Sequence, residues 1–133
     1  FFEAVARAYH ENSSVRDAME GERNLQGFLK AYLALSSYYL VEPELEMNYG
    51  YCDFFLLPNK QRYPDIKHSY ILELKYATRN ATDKELEAQA EEGRSQLYQY
   101  SEDKKVQELT EGTTLHRLLL QFRGWDMVKC EDV

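Results

Sequence analysis

Charged residues inside two apolar, strand-like runs constrain this chain more than any other feature of its sequence. Asp53 interrupts the run Tyr51–Leu57, and Glu73 and Lys75 interrupt the run Tyr70–Tyr76. Residues two apart in a strand leave the same face, so Glu73 and Lys75 are expected to share one. Such groups tolerate burial only when they are paired or bind a cation.

A hairpin between the two runs brings the third charge to the same place. If Leu57 pairs near residues 69–70, Asp53 lies opposite Glu73 and two carboxylates converge beside the ammonium group. Burying two carboxylates costs several kcal/mol unless a cation compensates them. A hard divalent ion with oxygen ligands, such as Mg²⁺, does so, and the lysine then orients or deprotonates the attacking water. The alternative is a cross-strand ion network without chemistry.

The remaining periodicity predicts the order α-β-β-β-α-β-β in one domain, residues 1–133. Three consecutive strands joined by turns favour antiparallel neighbours, and a capping box starts the second helix. The predicted elements are a helical segment from Phe1 to about Leu40, strands at Glu44–Met47, Tyr51–Leu57 and Tyr70–Tyr76, a helix from Thr82 to about Lys105, and strands at Thr114–Phe122 and Trp125–Cys130. Because the chain opens at Phe1 inside a helical pattern, we interpret it as a piece of a longer protein.

Charge limits the kinds of partner. The net charge is -7 and the pI is near 5.0, which disfavours a domain that simply coats DNA. The segment Lys60–Arg79 is nevertheless basic and could meet a phosphate backbone, whereas Asp83–Glu92 is acidic and is expected to face water. No membrane span or signal peptide is visible, so a cytoplasmic location is expected.

Zinc and histidine sites are not predicted. Neither cysteine, Cys52 or Cys130, has a second cysteine or a histidine at zinc spacing. His10, His68 and His116 lie far apart in the sequence, and none sits at ligand spacing with another.

The Asp strand followed by Tyr-Ile-Leu-Glu-Leu-Lys-Tyr resembles the PD-(D/E)XK nuclease superfamily. The closer resemblance is to a bacterial branch in which the nuclease-like domain follows an AAA-ATPase-like domain in the same polypeptide. The similarity covers nearly the whole chain: Glu22 with Phe28, Leu29 and Tyr32, then Gly50–Leu57, Tyr70–Tyr76, Gln96 and Leu97 with Tyr100, and Gln121–Trp125. It implies an α/β (α+β) fold with a restriction-endonuclease-like core, a central mixed sheet flanked by helices.

The resemblance also implies roles for individual residues. Asp53 and Glu73 would bind Mg²⁺ or Mn²⁺, with the Leu74 carbonyl as a third ligand, and Lys75 would be the catalytic lysine. The other implied residues are Glu22, which binds water or a second metal ion, and Gln96 and Tyr100, which orient the site and touch phosphate. Arg79, from the basic segment, is a further candidate for substrate binding. The implied substrate is nucleic acid, with DNA favoured.

Two positions depart from the family pattern. Cys52 replaces the proline before the motif aspartate, and Tyr51 stands where relatives usually have arginine after the glycine. The second departure keeps open an alternative function, in which an inactive nuclease-like module serves as a partner-binding or regulatory tail of the ATPase-like protein. The string Pro64-Asp65 imitates the motif, but Asp65 lies eight residues before Glu73 and is expected to be a turn residue.

Overall fold

The computed structural model describes residues 2–11, 22–33, 39–47 and 50–133. The helices of these ranges are α1 (Phe2–Glu11), α2 (Glu22–Leu33), α3 (Asp83–Ser101) and α4 (Lys104–Leu109). The strands are β1 (Tyr39–Met47), β2 (Gly50–Pro58), β3 (His68–Ala77), β4 (Thr114–Arg123) and β5 (Asp126–Asp132). Among the helices of this part of the chain, none combines the length and the apolar character that crossing a membrane requires.

The five strands form one sheet in the order β1-β2-β3-β4-β5. Neighbouring strands are antiparallel except β3 and β4, which run parallel. A parallel pair needs a crossover connection, and α3 and α4 provide it. The predicted element order and the mixed sheet flanked by helices are therefore confirmed, and the fold is α+β with a restriction-endonuclease-like core.

Alternation along β3 divides the core into two layers, one on each face of the sheet. The layer under α2 contains Leu25, Phe28, Leu29, Leu33, Phe54, Leu56, Leu72, Leu74, Leu120 and Phe122. The layer under α3 contains Phe55, Ile71, Ala90, Leu97, Tyr100, Val106 and Leu119. Glu73 and Lys75 have the same parity as Ile71, so they leave β3 on the α3 side.

The predicted helical segment from Phe1 to Leu40 is wrong at its end, because β1 already begins at Tyr39. Leu40 pairs with Leu57, and Pro43 pairs with Phe54. A short apolar run does not distinguish helix from strand by periodicity, and pairing with β2 decides in favour of strand. Pro43 is tolerated because β1 is an outer strand of the described sheet, where a missing N–H costs little.

The second helix begins as predicted but ends earlier than Lys105. The Thr82 side chain accepts a hydrogen bond from the Glu85 N–H, and the Glu85 carboxylate accepts one from the Thr82 N–H, both at 3.2 Å. Helix α3 stops at Ser101 because Asp103 caps a new helix, its carboxylate accepting from the Lys105 N–H at 2.8 Å.

Candidate active site

Strand β3 places Glu73 and Lys75 together in the layer under α3. Glu73 is 5% exposed, and its Oε1 lies 3.4 Å from Nζ of Lys75. The predicted common face of the two side chains is confirmed. Because both side chains are largely buried, the carboxylate and the ammonium group each offset part of the other's desolvation cost.

The register between β2 and β3 agrees with the predicted hairpin. Phe54 pairs with Leu72 and Leu56 with Tyr70. The pairing ends at Phe54 and Leu72, and the next residues along the two strands, Asp53 and Glu73, would lie opposite each other if the same register continued by one step. The side chain of Asp53 lies outside the described part of the structure, and so does that of Glu22, the first residue of α2.

A glycine lets α3 approach the sheet directly over Lys75. A Cβ placed on Gly93 would lie 2.6 Å from Cδ1 of Leu119 and 3.4 Å from Cε of Lys75. No side chain fits there without displacing its neighbours. The helix runs antiparallel to β4, because its earlier residue Leu86 lies at Gln121 whereas Gly93 lies at Leu119.

Two glutamines fasten α3 to the strands beside Lys75. Gln89 donates from Nε2 to the carbonyl of Tyr76 at 2.8 Å. Gln121, the fully buried register partner of Lys75 on β4, donates from Nε2 to the Leu86 carbonyl and to Oε1 of Gln89, both at 2.8 Å. These hydrogen bonds fix the height of the helix above the lysine. Neither glutamine was predicted as a site residue.

Gln96 lies further along the same stripe of α3. It follows Gln89 by seven residues, which is about 10 Å along a helix and returns to nearly the same face. Gln89 lies at Tyr76, and ten ångströms correspond to about three strand residues. Because α3 runs in the direction opposite to β3, Gln96 is at about the level of Glu73. Its Oε1 is buried and has no hydrogen-bond partner among the described residues. The role in orienting the site that the resemblance implies for Gln96 stays a prediction, and this position along α3 is compatible with it.

The other predicted residues have different surroundings. Tyr100 is 3% exposed and belongs to the core layer under α3. The Leu74 side chain packs in the core layer under α2, on the face of the sheet opposite to Glu73 and Lys75. The main-chain carbonyl is therefore the group of Leu74 that could serve as a ligand. Arg79 is exposed just beyond the end of β3, and its guanidinium carbon lies 3.3 Å from the centre of the Trp125 ring. Asp65 is exposed in the connection between β2 and β3.

Ion pairs attach the outer side of α3 to β5. Arg94 donates to both carboxylate oxygens of Glu131, at 2.9–3.2 Å, and also pairs with Glu87 and Glu91. Lys129 lies 3.3 Å from Glu87. The hydrogen bonds from Arg94 hold the pKa of Glu131 and of Glu87 below their usual values. This network steadies the helix that carries Gln89, Gly93 and Gln96.

Two histidines that lie far apart in the sequence come together in the fold. Nδ1 of His68 and Nε2 of His116 are 2.8 Å apart, at the end of the sheet where β3 and β4 begin. Spacing along the sequence could not reveal the pair, because it arises from the parallel pairing of strands that are separated by α3 and α4. Within the described side chains, no three groups among histidine, cysteine, aspartate and glutamate are arranged to hold one metal ion.

Comparison with known proteins supplies one match. A family model described as the PD-(D/E)XK nuclease superfamily matches residues 20–132, which is most of the chain. Comparisons with curated proteins and with solved structures give no significant match.

Proposed function

The chain belongs to the PD-(D/E)XK nuclease superfamily, and from this premise we propose that it hydrolyses phosphodiester bonds in nucleic acid with the help of Mg²⁺ or Mn²⁺. The observation that carries the proposal is the buried pair of Glu73 and Lys75 under the glycine of α3. A lysine enclosed next to a carboxylate, on a strand whose hairpin neighbour carries an aspartate, is suited to phosphoryl chemistry.

The donor groups suit a hard divalent ion. The Glu73 carboxylate is buried, and the amide oxygen of Gln96 is buried without a hydrogen-bond partner in the described part of the chain. Mg²⁺ and Mn²⁺ prefer oxygen ligands of this kind. We propose Asp53, Glu73 and the Leu74 carbonyl as the groups that hold the ion. When bound, the ion would polarise a phosphate oxygen and make water more acidic.

The protein groups divide the remaining work. The ion pair with Glu73 keeps the ammonium group of Lys75 over the sheet, where the ammonium group donates to a phosphate oxygen and stabilises the negative charge that develops there. Gln96 lies at about the level of Glu73, and its amide group orients the groups bound beside that carboxylate. Glu22 positions a water molecule from helix α2. Burial under α3 strengthens these electrostatic interactions because bulk water is excluded.

Substrate binding is proposed for the end of the sheet where β3 finishes. The basic segment Lys60–Arg79 does not form one patch, since β3 separates its members by about 30 Å. Lys60, Arg62 and Lys67 precede the strand, and Arg79 follows it at the end nearer Lys75. Arg79 is therefore the residue we assign to phosphate binding on DNA, while Tyr100 supports the site from the core beneath it.

A cleavage assay on single-stranded, double-stranded and branched DNA with Mg²⁺ or Mn²⁺ tests the proposal. The wild type should cleave at least one substrate, and Lys75→Met should abolish cleavage while keeping Mn²⁺ affinity within a few-fold. Lys129→Met is the matched control, because Lys129 lies on β5, two strands away from β3, and pairs with Glu87 rather than with the site. Cleavage by Lys75→Met at the wild-type rate would exclude the mechanism.

A second candidate function is a non-catalytic module that binds a partner or regulates an attached ATPase-like domain. The net charge of -7 favours it, because a surface that binds nucleic acid is usually basic. In either case we propose an AAA-ATPase-like domain in the same bacterial polypeptide as partner and the cytoplasm as location. A wild type that binds neither Mn²⁺ nor DNA and cleaves nothing would favour the module.

A further inference from the structure

The histidine pair lies apart from the candidate active site. Tyr70 of β3 pairs with His116 of β4, and His68 stands two residues earlier on the same face as Tyr70. This is the α2 face of the sheet, at the end where both strands begin. Glu73 and Lys75 leave the opposite face, further along β3. The nuclease chemistry proposed above therefore makes no use of either histidine.

The surroundings of His116 hold its ring in a fixed orientation. The Tyr70 ring stacks on it, with centroids 4.8 Å apart and an interplanar angle of 21°. Oδ2 of Asp132 lies 3.6 Å from its Nδ1. The other ring nitrogen, Nε2, faces Nδ1 of His68 at 2.8 Å. In many metal sites, one ring nitrogen of a histidine interacts with a carboxylate, and this interaction orients the other ring nitrogen toward the metal ion.

We propose that His68 Nδ1 and His116 Nε2 bind one transition-metal ion, with Cu²⁺ and Ni²⁺ preferred. Imidazole nitrogens bind such ions at about 2.0–2.1 Å, so two of them at right angles are about 2.9 Å apart and at a tetrahedral angle about 3.3 Å apart. The observed 2.8 Å fits the right angle. Right-angled nitrogen ligands are typical of tetragonal Cu²⁺ and Ni²⁺ sites.

The ion lies off the line between the two nitrogens, because nitrogens 2.8 Å apart are both about 2.0 Å from an ion only when it is at the apex of a right angle. When the ion binds, the proton on Nδ1 of His68 moves to Nε2 of the same ring, so both imidazoles stay neutral and each offers one lone pair to the ion. The Asp132 carboxylate stays beside Nδ1 of His116, where its negative charge favours the positive charge of the bound ion. Because His68 is exposed and the His116 side chain is 25% exposed, water completes the coordination. Mg²⁺, which prefers oxygen ligands, is not expected to bind here.

Calorimetric titration of the untagged, EDTA-treated chain with Cu²⁺ and Ni²⁺ at pH 7.5 tests the site. One equivalent should bind to the wild type, and binding at that site should be lost in His68→Gln and in His116→Gln. Asp132→Asn should lower the affinity for the ion roughly tenfold, because His116 is then oriented less firmly. His10→Gln is the matched control, since His10 pairs with Asp126 elsewhere on the surface and its loss should change nothing.

Electron paramagnetic resonance of the Cu²⁺ form gives a second readout, which reports the coordinating nitrogens directly. It should show two coupled nitrogens, and Glu73→Gln should leave the signal unchanged, which separates this site from the proposed nuclease metal. Absence of binding, an undiminished affinity in either histidine variant, or a signal with no coupled nitrogen would overturn the assignment.

Discussion

Glu73 and Lys75 owe their position to the alternation of side chains along one strand. This relation could be predicted from the sequence, because it depends only on a period of two within β3. Their burial could not, since it depends on α3 approaching at Gly93. The pair is costly to desolvate, so removing one partner has a larger effect than removing both.

We expect Lys75→Met to lower the free energy of unfolding of the metal-free protein by about 3 kcal/mol, because the Glu73 carboxylate is left buried without its cation. The double variant Glu73→Gln/Lys75→Met should recover most of that loss. Urea denaturation in EDTA measures both. Lys129→Met, which removes an exposed ion pair with Glu87, should lower the free energy of unfolding by a smaller amount than Lys75→Met does. Equal stability of the lysine variant and wild type would show that the carboxylate does not rely on Lys75.

Asp53, and not Asp65, should be required for divalent metal binding. Asp65 is exposed before β3 begins, and Glu73 stands five residues into that strand, about 16 Å from its start. Ligands of one ion lie only a few ångströms apart. Calorimetry with Mn²⁺ should therefore detect no binding to Asp53→Ala and near wild-type affinity in Asp65→Ala. The opposite result would mean that β2 and β3 do not continue their register to Asp53.

Element pairing explains which parts of the site the sequence could reveal. The hairpin of β2 and β3 is local, so its register could be predicted to within one residue. The contacts of Gln121 with Gln89, and of His68 with His116, join residues separated by the crossover. They depend on β3 and β4 being parallel neighbours, which no short-range pattern specifies. A polar residue in the apolar run of β4 was the available signal for Gln121.

Two glycines in helices should respond oppositely to alanine. In α2, a Cβ on Gly27 meets nothing within 4 Å, so Gly27→Ala should stabilise the protein by about 0.5–1 kcal/mol through helix propensity. In α3, Gly93→Ala meets Leu119 and the Lys75 stem and should destabilise it by about 1–3 kcal/mol. Thermal melting of the two variants measures both changes. A gain for Gly93→Ala would contradict the close packing of α3 over Lys75.

At the scale of the whole molecule, the negative charge is concentrated on the solvent side of α3. Asp83, Glu85, Glu87, Glu91 and Glu92 are all exposed, as their sequence predicted. Only part of this charge is compensated, through Arg94, Lys129 and Arg123. Helix α3 begins at Asp83, four residues after Arg79, so its acidic first turns lie at the same end of the sheet as Arg79 and partly oppose its attraction for phosphate. Salt should therefore affect nucleic acid binding only modestly.

The link between α3 and β5 should make stability sensitive to acid. Arg94 lowers the pKa of Glu131 and Glu87 in the folded protein relative to the ordinary value of 4.5, so the unfolded chain binds more protons than the folded one as the pH falls. The stabilisation is fully present above pH 4.5 and is lost progressively below it, as the pH passes through the lowered pKa values. Urea denaturation between pH 6 and pH 3 should show a shallower loss of stability in Glu131→Gln than in wild type. Glu92→Gln, an exposed change on α3, should follow the wild-type slope. The same slope in all three proteins would show that Arg94 does not anchor the helix through Glu131.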